Sequence, residues 1–598
     1  MKTGARARWV GALAVLAGLV CAGSALAAPG PCATVMPLDD VAAGQVGEGW
    51  TVVEGTEPDP FDVEVLGVAK DIVAPGRDVI VVRISGATVD AGGGVWEGMS
   101  GSPVYIGGDF AGALAYGFSL GASDIAGLTP AEDMLDLDGL PVASRLPKRL
   151  RLPRALVRAI AKSTGAALPE GGGTLVRLKV PVSVSGIGLG HAQYVKKVLR
   201  RHGLDFTLTS GASALTTLAG TVDDLAPGGN FAAALSYGDV TAAGIGTTSY
   251  VCDGQALAFG HPFFLTGRAA LGAGGADALA IVPDPFGPYK LANVTGPVGV
   301  MDQDRFAGVR AVDGGLSTIP VSTAVTALDT AAVRTGETDV VQQSDLPELG
   351  TTHVIGSIDS TFDAIGEGSS AVAWAIHGLR EDGSPWTLRR SNRFASKFDI
   401  SSESAFELYD ALSKIARYPF EDVEVTSVEA DVEVESTVRR YRLARVLVCH
   451  SGECRAVRRL RAHPGKTLSF RAVLRPEDGS AAKLVPFKLT IPPRAHGGAL
   501  VEVTGGSGCR GQFDPRCRQP RPLAFDLLLR ELRRVPENNV LSANLETGSH
   551  GRVPDRFREL LDRVVSGAVR IPVFFPNQCC PPKPGGSVGG VPIPVPVP

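Results

Sequence analysis

The chain has no excess of basic charge. Its 58 Lys and Arg are outnumbered by 62 Asp and Glu, for a formal net charge of −4. Loss of Lys2, Arg6 and Arg8 with an N-terminal leader makes the charge −7. No Lys/Arg stripe is available to follow a phosphate backbone, so nucleic acid is not an expected partner. Long apolar runs are missing too. Beyond the leader no stretch approaches the ~20 residues needed to cross a bilayer, so no integral membrane segment is expected in the mature chain. There is no internal repeat, and only nine of the 598 residues are histidine. Gly and Pro, by contrast, are abundant at 74 and 42 residues, which favours short strands and many turns over helical bundles. A chain of this length carries several domains.

Residues 1–27 read as a signal peptide: three cations, an apolar stretch from Trp9 to about Val20, then the small residues Ala25-Leu26-Ala27. The expected destination is outside the cytoplasm, periplasmic or secreted. Val20 stands where lipid attachment at Cys21 would require a small residue. The eight remaining cysteines are an even set, which suggests disulfides in an exported chain. Cys449 with Cys454, and Cys509 with Cys517, are spaced to close short loops. A zinc site using Cys449, His450 and Cys454 lacks a second ligand pair at suitable spacing, so no metal and no cofactor are expected.

Short apolar runs such as Val63 to Val68 and Val79 to Val82, bounded by Gly, Pro and Asp, predict strands through residues 28–146. Residues 147–225 change character, with helical spacing from Leu152 to Ser163 and from Ala192 to His202. This reads as an α/β insertion. Strands resume over 226–394. A helix from Ser402 to Ile415 opens a segment, 395–505, whose remaining strands predict a β-sandwich. Residues 506–575 read as a small α/β region, and 576–598 as a Pro/Gly-rich tail that cannot pack a core.

The stretch richest in chemistry is Gly98-Met99-Ser100-Gly101-Ser102-Pro103. A nucleophilic serine must stand on a tight turn beside backbone N–H groups free to hold an oxyanion, and flanking glycines permit that path. The pattern G-x-S-G-x-P is how trypsin-like serine peptidases write their nucleophile turn. It makes Ser100 the candidate nucleophile and the amides of Gly98 and Ser100 the candidate oxyanion hole. Ser102 is then only the second small residue of the turn. The candidate base is His261, in Phe259-Gly260-His261-Pro262 at the end of an apolar run. An unperturbed imidazole pKa near 6.5 suits general-base work. His191 is the reserve candidate.

These two motifs together resemble the SpoIVB-type sporulation serine peptidases, which combine a G-M-S-G-S-P turn with a G-H motif. The resemblance extends to Pro60 through Gly67, Val95-Trp96-Glu97, Ile125 through Pro130, Asp133-Met134-Leu135, Tyr289-Lys290-Leu291 and Asp302-Gln303-Asp304-Arg305. It covers roughly residues 35–145 and 225–320. It implies a trypsin-like double β-barrel peptidase domain, divided here into a nucleophile half (28–146) and a histidine half (226–394). The implied activity is endoproteolysis of protein substrates, with regulatory cleavage or self-cleavage as its character.

Three features depart from the pattern. Here Ser100 precedes His261 by 161 residues, whereas the sporulation enzymes place the His motif first. No PDZ domain is evident. The segment corresponding to the family's orienting Asp is Arg83-Ile84-Ser85-Gly86, and it offers only Ser85. Asp78 and Asp90 are the nearest carboxylates that could orient the base. The competing expectation is a catalytically inactive, peptidase-like envelope protein that binds a partner, with the tail and Cys579-Cys580 as a tether.

Overall fold

A computed structural model describes residues 30–118, 123–140, 146–165, 173–188, 191–218, 220–284, 287–506, 522–547 and 556–576. The expected signal peptide, residues 577–598 of the tail, and Cys21, Cys509, Cys517, Cys579 and Cys580 lie outside these residues. The protein is mainly β, as expected. Among the described residues no helix is long and apolar enough to cross a membrane.

The first six strands are β1 (Val46–Thr51), β2 (Asp59–Ala74), β3 (Arg77–Ser85), β4 (Pro103–Ile106), β5 (Asp109–Phe118) and β6 (Ile125–Pro130). They pair in the order β4-β1-β2-β3-β6-β5, and β5 returns to β4, closing a six-stranded barrel. Alternation along β2 and β3 points Phe61, Val63, Val65, Ile80, Val82 and Ile84 into one core with Trp96 and Met99. Val79 and Val81 face the other way, into a second layer with Leu156 and Ile160. Both faces of β3 are therefore covered, which explains its unbroken apolar run. Short helices α1 (Ala87–Asp90) and α2 (Ala131–Leu135) flank this barrel.

The predicted insertion joins the two halves. Strands β7 (Arg149–Arg151) and β8 (Thr174–Arg177) extend the first sheet beyond β5, with helix α3 (Arg154–Thr164) against it. Strands β9 (Val180–Val184) and β10 (Phe206–Ser210), with α4 (Gln193–Arg201) between them, extend the second sheet.

That second sheet contains β11 (Asn230–Gly238), β12 (Ala242–Cys252), β13 (Gln255–Ala258), β14 (Gly267–Val282), β15 (Tyr289–Arg305) and β16 (Gly308–Val312). Pairing runs β12-β13-β16-β15-β14-β11 and returns from β11 to β12. The two rings meet in a shared apolar cluster, where Trp50, Phe110, Ala113 and Met134 pack with Leu257, Phe306 and Ala307.

Beyond β11 the sheet continues through β17 (Ile319–Ala327), β18 (Ala332–Val340), β19 (Gly368–Leu379), β20 (Pro385–Ser396) and β21 (Glu424–Glu435). Helices α5 (Leu346–Phe362) and α6 (Ile400–Ile415) share its core through Leu349, Ile358, Leu408 and Leu412.

A sandwich does lie at the C-terminal end, with different boundaries from those expected. One sheet holds Arg440–His450, Glu453–Ala456, Thr467–Pro476, Lys483–Thr490 and Val564–Ser566. The other holds Leu460–Arg461, Ala499–Gly505, Val540–Thr547, Arg556–Leu560 and Ala568–Phe574. The two share one core, so the boundary expected at 505 falls inside the sandwich. β21, expected to belong to it, pairs instead with β17 and β19. Alternating sequence identifies a strand but not its partner. Helix α7 (Phe525–Arg534) packs back on the larger body, Phe525 lying edge-on to Trp386.

Candidate functional site

The Ser100 turn links α1 to β4, and the His261 loop links β13 to β14. Both dock on β12. Thr247 N–H donates to the Ser100 carbonyl at 2.9 Å, and Phe259 N–H donates to the Thr247 carbonyl at 3.3 Å. Thr247 Oγ1 donates to the Gly98 carbonyl at 3.0 Å, and Ser249 Oγ to the Gly101 carbonyl at 2.7 Å. Ser100 and His261, 161 positions apart in the chain, are thus bridged by a single strand.

Two glycines set the path of the turn. Gly98 and Gly101 have φ of +101° and +98°, values that L side chains rarely adopt. A Cβ on Gly101 would collide with the Thr247 carbonyl oxygen, and one on Gly98 would stand 2.8 Å from Lys290 Cβ. Met99 fills the first barrel's core and anchors the turn from below. Met99 N–H donates to Trp96 O, Gly101 N–H to Leu114 O and Ser102 N–H to Met99 O. Among the described residues the amides of Gly98 and Ser100 have no acceptor. Ser102 Oγ is spent on the Met99 carbonyl at 2.7 Å, whereas among the described residues Ser100 Oγ is buried with no partner.

His261 is fully buried, and its Nδ1 lies 2.9 Å from the Pro262 carbonyl oxygen. A carbonyl only accepts, so Nδ1 carries the proton and Nε2 the lone pair. Among the described residues Nε2 is buried without a partner. Burial, helped by the nearby Arg177 guanidinium, lowers the imidazole pKa to about 3, which keeps the ring neutral. No hydrogen bond joins Ser100 Oγ to His261 Nε2.

The loop around His261 is heavily braced. Buried Asp304 accepts from the amides of Phe263 at 2.8 Å and Phe264 at 2.6 Å. Burial raises its pKa, opposed by the backbone amides of Phe264, Phe263, Thr266 and Leu265, which favour the carboxylate. Thr129 Oγ1 donates to the Gly260 carbonyl at 2.5 Å. Phe259 holds φ of +64°, uncommon for a bulky residue, with its ring between Phe231 and Phe263.

Behind Gly98 lies Lys290, fully buried, its Nζ donating to Asn230 Oδ1 at 2.7 Å. Burial, opposed by Asp59, lowers the ammonium pKa to about 7. Its main-chain N–H donates to the Glu97 carbonyl at 2.9 Å, fixing the peptide just before Gly98.

The expected orienting carboxylates lie elsewhere. Asp78 accepts from Asp71 N–H at 2.8 Å within the β2–β3 hairpin, and Asp90 is exposed at the end of α1. Neither bonds to His261; the Pro262 carbonyl takes that place. Ser85 is exposed at the end of β3. His191, the reserve base, sits between Asp359 at 2.8 Å and Asp399 at 3.1 Å, beside α5 and α6.

Thr247, Ser249, Thr129, Asp304 and Asn230 had no role in the sequence reading. Only Thr129 and Asp304 carried a signal, as members of the Ile125–Pro130 and Asp302–Arg305 matches. Among the described residues one group has metal-binding side chains in reach of one another: Cys32, Cys252 and Asp253. Its cysteines form a disulfide and are not thiolate ligands. A second disulfide joins Cys449 to Cys454, the short loop expected, and removes the zinc alternative there.

Comparison with known proteins finds no matching family model, curated protein or solved structure.

Proposed function

We propose that this chain is an exported serine endopeptidase of the SpoIVB type, with Ser100 as nucleophile and His261 as base on a trypsin-like double barrel. The observation that carries this reading is a set of four buried or unpartnered polar groups on adjoining segments. They are Ser100 Oγ, His261 Nε2 and the amides of Gly98 and Ser100. Buried polar groups are nearly always hydrogen-bonded, so a cluster without partners is the expected signature of a site awaiting a substrate. In the reaction His261 Nε2 takes the Ser100 proton as Oγ attacks the scissile carbonyl. The two amides hold the oxyanion, and the imidazolium then protonates the leaving amine. The Pro262 carbonyl selects the required tautomer, the task an Asp performs in a triad. The leader and the two disulfides support an exported setting.

Ser100 and His261 are both fully enclosed, so a protein substrate must displace part of the chain to reach them. Catalytic hydrogen bonds are often long in the unliganded state and tighten on binding. The enclosure also favours a second reading, an inactive peptidase-like domain that binds a partner.

A fluorophosphonate probe separates the two. Wild type is expected to be labelled slowly, Ser100→Ala not at all, and His261→Ala slower by roughly 10³-fold or more. Equal labelling of Ser100→Ala would refute the nucleophile, and an unlabelled wild type would favour the binding protein.

A further inference from the structure

We propose that Glu97 makes this site select substrates with a basic side chain, and that Lys179 takes the place of that side chain while the site is enclosed. The inference rests on the peptidase reading above.

Glu97 immediately precedes the candidate oxyanion donor Gly98. Its backbone is held on both sides, its N–H donating to Pro288 O at 2.8 Å and its carbonyl accepting from Lys290 N–H at 2.9 Å. Its side chain is only 7% exposed. Oε1 pairs with Lys179 Nζ at 3.1 Å, while among the described residues Oε2 is buried with no partner. A carboxylate cut off from water with one oxygen unused is costly unless something takes it up. A guanidinium binds both oxygens at once, and an ammonium can bridge them.

Lys179 comes from a segment lying across the candidate site. Residues 177–181 run from the end of β8 through the two-residue link Leu178-Lys179 into the start of β9. Leu178 N–H donates to the Ala115 carbonyl at 3.1 Å, beside the β5 residues that pack on Gly260. Arg177 is close enough to His261 to oppose its protonation. Pro181 Cγ would stand 3.3 Å from a Cβ on Gly98. One short stretch therefore passes the base, the oxyanion turn and Glu97, as a bound substrate strand must. Its lysine is half exposed and, among the described residues, makes one ion pair, so displacing it costs little.

The test uses the full chain and benzamidine as a soluble amidinium probe, with paired fluorogenic peptides that differ only in Arg or neutral citrulline beside the scissile bond. Wild type is expected to bind benzamidine and to cleave the Arg peptide faster. Glu97→Gln should lose benzamidine binding and lower the Arg-to-citrulline ratio of kcat/KM by roughly 30-fold or more, as for a charge left without its partner. Lys179→Met should bind benzamidine more tightly and raise kcat/KM on the Arg peptide several-fold. A folded Glu97→Gln with wild-type benzamidine affinity and an unchanged ratio would overturn the proposal, as would failure of wild type to bind the probe while still cleaving peptides. Fluorophosphonate labelling of Ser100 reports separately on the peptidase reading, which an unlabelled wild type overturns whatever benzamidine does.

Discussion

The Nδ1 proton of His261 is held by the carbonyl oxygen of Pro262, the next residue in the chain, 2.9 Å away. The ring is thus oriented by its own loop, with no carboxylate in contact. A carbonyl fixes the tautomer as a carboxylate would, but it adds no negative charge to stabilise an imidazolium.

This bears on pH. With its pKa lowered to about 3 by burial, His261 stays neutral through the range in which a free histidine titrates. Fluorophosphonate labelling should show no fall in rate centred near pH 6.5 as the solution is acidified. Stability follows the same group with a definite sign. Between about pH 6.5 and 3 the unfolded chain binds the proton and the folded chain does not, so the His261 contribution is complete above 6.5 and declines toward 3. His353, lowered to about 4 by burial, acts in the same direction. Denaturant unfolding at stepped pH should show His261→Gln losing less stability than wild type between pH 7 and 4. A steeper loss in the variant would contradict the burial account.

Asp304 is the brace of the histidine loop, and its removal should separate position from chemistry. In Asp304→Ala the Phe263 and Phe264 amides lose their acceptor inside the core. Unfolding stability is expected to fall by about 1–3 kcal/mol. Labelling of Ser100 should slow at least tenfold in protein that remains folded. A variant that is less stable yet labels at the wild-type rate would confine Asp304 to a stabilising role.

The two disulfides should differ in consequence. Cys32–Cys252 spans 220 residues and ends on β12, the strand that carries Thr247 and Ser249, whereas Cys449–Cys454 spans five within the sandwich. Replacing the first pair with serine should cost about 2–5 kcal/mol and reduce labelling; replacing the second should leave labelling unchanged. Thermal unfolding and probe kinetics on the two double variants test this, and equal effects on labelling would dissociate the long bridge from the site.

The tight turn at Gly98–Pro103 was legible because positive-φ backbone demands glycine, and Gly98 and Gly101 stand where it occurs. Strands such as β2 and β3 were legible from alternation and apolar runs. The second ring was harder to read, since β14 is largely Ala and Gly and offers little apolar–polar contrast. The support of the site was hidden for another reason. Thr247, Ser249 and Thr129 bond to backbone carbonyls far away in the chain, and a lone Ser or Thr gives no sign of such a contact. From sequence, the orienting candidates were the carboxylates Asp78 and Asp90. The group that accepts from the ring in the structure is a peptide carbonyl, which every residue possesses and no sequence singles out.

The Cys32–Cys252 bond also changes what a cut in the backbone would do. A protease that nicked the chain once at any point between those two cysteines would leave both fragments covalently attached. The region joining the two rings can therefore be opened without parting the segment that holds Ser100 from the segment that holds His261, and the pieces would separate only on reduction.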